Sequence, residues 1–157
     1  MKQPTDGSNK NAVFIRPVVE YKLTDSFKIA GGMEANLTKS GQDTGNDFIG
    51  YGATAKYSAN NLKLNLSYAH RHFNSKDEKD SSIVATILYR GFGLAHIYAQ
   101  NDLQNTTAKV NTTYASYKFS HVMDVKDLAL YMGTFYSKAS NNSNSNIGSR
   151  VRIKYYF

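Results

Sequence analysis

The chain has 157 residues, a formal net charge of +7, no cysteine and no tryptophan. That length holds one domain and not two independent cores, and the missing cysteines exclude a disulfide framework and thiolate metal sites. Tyrosine (12) and phenylalanine (8) are abundant beside Thr, Ser, Asn and Gly, a β composition; no run of about 18 apolar residues exists, which excludes a transmembrane helix but not a strand-built membrane barrel.

Met1 to Lys10 is polar throughout and reads as an N-terminal segment with no signal peptide; strands and loops are expected over 11–157, so that 1–157 is a single domain. The first extended segment, Ala12 to Leu23, sets Val13, Ile15, Pro17, Val19 and Tyr21 against Arg16, Val18, Glu20 and Lys22, and Thr24 to Ser26 turns the chain. The second, Phe27 to Lys39, sets Phe27, Ile29, Met33 and Leu37 against Lys28, Glu34 and Thr38. After the polar stretch Lys39 to Asp47, the third segment alternates Ile49, Tyr51, Ala53 and Tyr57 with Gly50, Thr54, Lys56 and Ser58. Ala59 to Asn61 is a tight turn into the fourth, where Leu62, Leu64, Leu66, Tyr68 and His70 oppose Lys63, Asn65, Ser67 and Arg71.

A charged loop is expected from Ser75 to Ser81, followed by a fifth segment with Ile83, Ile87 and Tyr89 opposite Thr86 and Arg90. Gly91 turns the chain into Phe92 to Gln100, whose facing the alternation leaves open. The seventh segment runs from Ala108 to Phe119 and the eighth from Leu128 to Lys138. The ninth ends the chain, with Val151, Ile153, Tyr155 and Phe157 on one face and Arg150, Arg152 and Lys154 on the other. Breaks after the odd segments are mostly tight, and those after the even ones are longer and polar. Such asymmetry belongs to an antiparallel up-and-down meander with two unlike ends, about nine strands long.

One face is built from Ile, Val, Leu, Met, Ala, Phe and Tyr, the other from small, hydroxyl and basic residues. Segments of about ten residues match a tilted strand crossing the hydrocarbon layer, and tyrosines near the segment ends suit the membrane interface. The terminal pattern Val151, Ile153, Tyr155, Phe157 resembles the C-terminal signature of bacterial outer-membrane β-barrel proteins. That resemblance implies an all-β transmembrane barrel in the outer membrane, with lipid around it, and a last strand read by the barrel-assembly machinery.

On the polar face Arg16, Lys28, Lys56, Lys63, Arg71, Arg90, Arg150, Arg152 and Lys154 are the candidate pore-lining bases, against the acids Glu20 and Glu34. Segregation of this kind differs from the intermixed charges of an ordinary solvated sheet, and a water-filled passage so lined concentrates anions. The basic face and the terminal strand resemble the porins for acidic oligosaccharides, which include the oligogalacturonate and sialic-acid channels. Twelve antiparallel strands form the monomeric barrel in that family, and the nine read here depart from that number. With nine strands and a periplasmic C-terminus the chain would begin on the outside, awkward for a bacterial barrel with an even strand count: either further strands precede Met1, which makes this the C-terminal part of a larger, twelve-stranded barrel, or one strand is miscounted. Only five arginines stand in the chain, fewer than the family's basic tracks suggest.

Histidines are the only candidates for other chemistry. His70 and His72 lie two apart, and His96 and His121 lie elsewhere, with no Cys or carboxylate placed to complete a metal site. No nucleophile motif is present, so no catalytic residue, metal or cofactor is expected. Nucleic acid binding by stacked tyrosines leaves the uncharged opposite face unexplained. The expected function is passive diffusion of small hydrophilic solutes, preferentially anionic ones such as acidic sugars or oligosaccharides. Two alternatives stay open: a non-conducting structural or adhesive barrel, which polar-face pairing of Glu20 or Glu34 with bases would favour, and a barrel enzyme dependent on His70 or His96.

Overall fold

The computed structural model describes residues 14–36, 48–73, 78–103 and 106–155. The period-two segments form ten antiparallel strands: β1 (Phe14–Ile15), β2 (Val18–Lys22), β3 (Phe27–Asn36), β4 (Phe48–Ala59), β5 (Leu62–Phe73), β6 (Glu78–Tyr89), β7 (Phe92–Leu103), β8 (Thr106–Ser120), β9 (Leu128–Ala139) and β10 (Ser145–Tyr155). One 3₁₀ turn, Val122–Asp124, lies in the β8–β9 connection. Among the described residues no helix is long and apolar enough to cross a membrane.

β1 and β2 are one strand in two pieces. Phe14 faces Asn36 and Ile15 faces Ala35, and beyond the gap Val18 faces Gly32, so the register runs through Arg16 and Pro17 without a slip. Pro17 has no N–H for the ladder, yet its carbonyl accepts the Met33 N–H at 3.1 Å. The expected nine segments are therefore nine staves, the first interrupted at a proline. From β3 to β10 each strand pairs with the next in sequence. The outer strands β2 and β10 run in the same direction and do not pair with each other, which leaves the sheet open.

Local chemistry sets the hairpins. Thr24 Oγ1 accepts the backbone N–H of Phe27 at 3.0 Å and closes the β2–β3 turn. Tyr89 pairs with Phe92, so Arg90 and Gly91 form a two-residue connection with φ of 46° and 88°. Positive φ at both positions twists with the strands, and a side chain at Gly91 would bring its Cβ to 2.8 Å from the Lys118 carbonyl oxygen.

Among the described residues the sheet has no second layer to pack against. Among the described residues only Ala35 and Ala129 are buried apolar side chains, while Leu66 (55 %), Val151 (62 %) and Ile153 (69 %) stand exposed on one face. A water-soluble sheet of this size buries such residues; here the solvent for that face has to be apolar. The register also resolves the face of β7: His96 lies opposite Ala85 and Tyr98 opposite Ile83, both on the apolar side.

Two rings of aromatics bound the apolar band. Near the tight turns stand Tyr21, Phe27, Tyr57, Tyr89, Phe92, Tyr117 and Tyr155; toward the other end stand Tyr51, Tyr68, Tyr98 and Tyr136. Six positions separate Tyr51 from Tyr57 on β4, about 20 Å along a strand and of the order of the hydrocarbon band.

The strands run further at the polar end than the sequence suggests. The charged stretch Ser75 to Ser81 is half strand, because β6 begins at Glu78; β7 continues to Leu103 and β8 begins at Thr106. β9 likewise continues to Ala139, one residue past the expected end of the eighth segment, and β10 begins at Ser145, five residues before Arg150. Backbone pairing does not depend on side-chain polarity, so the ribbons continue past the apolar band with polar residues on both faces. The stretch Lys39 to Asp47 falls outside the described residues, as do Met1 to Lys10 and the terminal Phe157.

Candidate functional site

On the polar face the candidate residues fall into two differently charged walls. Over β1 to β5 each acid is shared by two bases. Glu34 of β3 takes Arg16 on one side and Arg71 of β5 on the other. Arg71 is two strands away, and the strand between them offers Gly50, where a Cβ would lie 3.3 Å from the Glu34 Cγ. Nearer the tight turns, Glu20 of β2 receives Lys28 and Lys56, each at 3.2 Å. Lys28 and Lys56 are direct cross-strand partners, a like-charge pair that Glu20 makes tolerable.

The extension of β6 adds two acids to this face that the sequence reading assigned to a loop. Glu78 stands opposite Phe73 and Asp80 opposite Arg71, with the Asn101 side-chain amide donating to Asp80 at 2.5 Å. Arg90 departs from expectation in the other direction. It sits in the two-residue turn rather than in a strand, its guanidinium carbon 5.4 Å from the Tyr89 ring centre.

The second wall is basic. Arg150 lies opposite Gly133, Arg152 opposite Tyr131 and Lys154 opposite Ala129, at alternate positions about 7 Å apart along β10. Among the described residues none of these three, nor Lys63, has a carboxylate at ion-pair distance. Tyr131 lies between Lys118 and Lys154, whose ammonium groups stand 5.7 and 5.3 Å from its ring centre.

Sequence reasoning missed the aromatic residues on this face. Phe14, Phe48 and Phe73 form a row at the polar end, with ring centres 6.3 Å apart for the first pair and 5.9 Å for the second. The Arg71 guanidinium lies 4.4 Å over Phe48, which ties the row to the Glu34 cluster beneath it. Tyr114 and Phe135 make a second pair at 5.7 Å. The signal was available: each of these aromatics falls on the polar phase of its segment, where hydrophobicity alone does not place it.

The histidines are dispersed. His70 packs on Tyr51 with centres 5.1 Å apart, and His96 Nδ1 meets Thr113 Oγ1 at 2.9 Å. Among the described residues no group of three His, Cys, Asp or Glu is placed to hold a metal ion. Val151, Ile153 and Tyr155 of the terminal pattern share the apolar face of β10.

This arrangement, a single antiparallel sheet with a lipid-type face, aromatic rings at both borders and a charged opposite face, is that of a membrane barrel wall. A family model described as porin-like glycoporin RafY matches residues 3–157. The chain belongs to this porin family. The match spans nearly the whole sequence, so the open sheet is the wall of a porin β-barrel and the protein is placed in the bacterial outer membrane. No curated protein matches the chain. In a porin the polar face lines water, and the functional class is a channel.

Proposed function

We propose that this porin admits small hydrophilic solutes by passive diffusion and prefers anions, acidic sugars or oligosaccharides among them. The observation that carries the reading is the β10 row Arg150, Arg152, Lys154, which has no carboxylate partner among the described residues. A low-dielectric wall focuses the field of such a row into the passage, which raises the local anion concentration. Arginine adds a planar fork suited to carboxylates, lysine a point charge. Glu20 and Glu34 offset only part of the basic charge, because each is shared by two cations and both clusters keep a net positive charge.

The sugar half of the reading draws on the family description, glycoporin, and on the Phe14, Phe48, Phe73 row. Aromatic faces offer a surface for the apolar faces of sugar rings, and the neighbouring Arg16 and Arg71 offer hydrogen-bond donors. The acid–base pairs around Glu20 and Glu34 favour the second reading, a barrel plugged by its own side chains. Against it, those pairs join strands of one wall rather than opposite walls.

Planar-bilayer recording of the refolded chain under a salt gradient separates the readings. The expected reversal potential has the sign of an anion-preferring pore, and R150Q/R152Q/K154Q moves it toward zero. Cation preference overturns the anion reading, and a folded protein without conductance favours the plugged barrel.

A further inference from the structure

We propose that the outward face of β6 to β9, just beyond the Tyr68, Tyr98, Tyr136 ring, binds phosphate groups of lipid in the outer leaflet of the outer membrane. The inference rests on the family's location and not on the solute preference of the pore.

Three lysines point outward here. Lys79 lies opposite Asp102, Lys109 opposite Gln100, and Lys138 opposite Asn111, all on the side that carries Ile83, Tyr98 and Tyr136 lower down β6, β7 and β9. All three are exposed, and among the described residues none has a carboxylate at ion-pair distance. Among the described residues the outward acid beside them is Asp102, which accepts from Gln100 Nε2 at 3.0 Å and from Thr107 Oγ1 at 2.8 Å and whose charge also acts on Lys79 and Lys109, one carboxylate against three ammonium groups. The patch keeps a surplus of positive charge.

Its height selects the ligand. Lys109 lies two positions beyond the Tyr98 row and Lys79 four beyond Ile83, about 7 and 13 Å along strands that tilt in the membrane. That span is the headgroup layer, which is thin compared with the roughly 30 Å hydrocarbon core. Directly beneath, Ile83, Ile87, Leu94 and Tyr98 offer an apolar surface for acyl chains. Ammonium groups above an apolar band match an amphiphile with phosphate at its head, whereas a free phosphate ion gains nothing from the band. The connection between β3 and β4, residues 37–47, is the longest between described strands and lies at this end, and the longer loops of such barrels face the cell exterior, which puts the patch in the outer leaflet.

The test uses the full chain refolded in neutral detergent, titrated with bisphosphorylated lipid A, with its dephosphorylated form and with inorganic phosphate, and read by native mass spectrometry. The phosphorylated lipid is expected to be retained and to be displaced by salt. K79Q/K109Q/K138Q is expected to weaken it by roughly 100-fold, from about fivefold per lysine near an anionic surface. Equal binding of the dephosphorylated lipid, or undiminished binding by the triple variant, overturns the proposal; so does competition by inorganic phosphate at concentrations equal to the lipid. Should the triple variant not fold, as judged by heat-modifiable gel mobility, single K109Q and the salt dependence of the unmodified chain serve, and salt-insensitive binding overturns the proposal.

Discussion

Glu34 and Arg71 meet over the bare backbone of Gly50. The two residues stand on β3 and β5, and the intervening strand contributes no side chain to obstruct them.

A side chain at Gly50 therefore has to push one partner away. Gly50→Leu is expected to separate the pair and to cost about 1–3 kcal/mol by crowding, while Gly50→Ala costs less. Urea unfolding in lipid vesicles measures both. Equal stability of the leucine variant and the parent would show that the bridge does not lie where the Cβ falls.

Glu34 and Glu20 hold down part of the basic charge on the polar face. Removing either carboxylate with Glu34→Gln or Glu20→Gln frees two cations each, so anion over cation permeability should rise by about a factor of two near 0.1 M salt. The gain should fade toward 1 M as the screening length drops from about 10 Å to about 3 Å. Reversal potentials at the two salt concentrations check this; a fall in anion preference would contradict the assignment of these pairs to the passage.

Leu66 and Ser67 are neighbours in sequence on opposite faces of β5, opposite Ala55 and Thr54 respectively. Leu66→Arg is expected to destabilise the barrel by about 2–4 kcal/mol, the cost of a charge in the middle of the lipid face. Ser67→Arg should cost far less, because water meets it. Parallel unfolding titrations decide, and equal costs would mean that hydrocarbon does not solvate the leucine side.

Gly91 has φ of 88° in a turn with no room for a β-carbon. Gly91→Val is expected to lose at least 1–2 kcal/mol and to slow insertion of the β6–β7 hairpin. Time-resolved heat-modifiable mobility during refolding into vesicles reads the rate; an unchanged rate and stability would indicate a different turn.

The pattern in the sequence was sufficient for the architecture because every strand but β7 alternates clearly with period two and tight turns such as Asn60-Asn61 and Arg90-Gly91 punctuate the run. It failed where polarity and backbone pairing part company. Glu78 and Asp80 look like loop residues because they are charged, yet they are paired strand residues beyond the membrane. The facing of β7 was ambiguous because Ala95, Ile97 and Ala99 are as apolar as Leu94 and Tyr98; only pairing with β6 resolves it. Of the candidate site, the basic row on β10 was visible from alternation alone. The sharing of Glu34 between Arg16 and Arg71 was not, since it joins residues far apart in the chain through a gap at Gly50.

Pro17 has one more effect. Its missing N–H would have pointed at Met33, so the loss falls on the inner side of the first stave. The donors and acceptors of Val18, Glu20 and Lys22 that point away from β3 are intact, and no described strand covers them. Such a margin is adhesive: in hydrocarbon every unmet amide costs several kcal/mol, and in water it recruits any extended chain that drifts by. In the closed barrel of this family that margin is the seam, and the proline leaves its bonding groups whole for the strand that closes it.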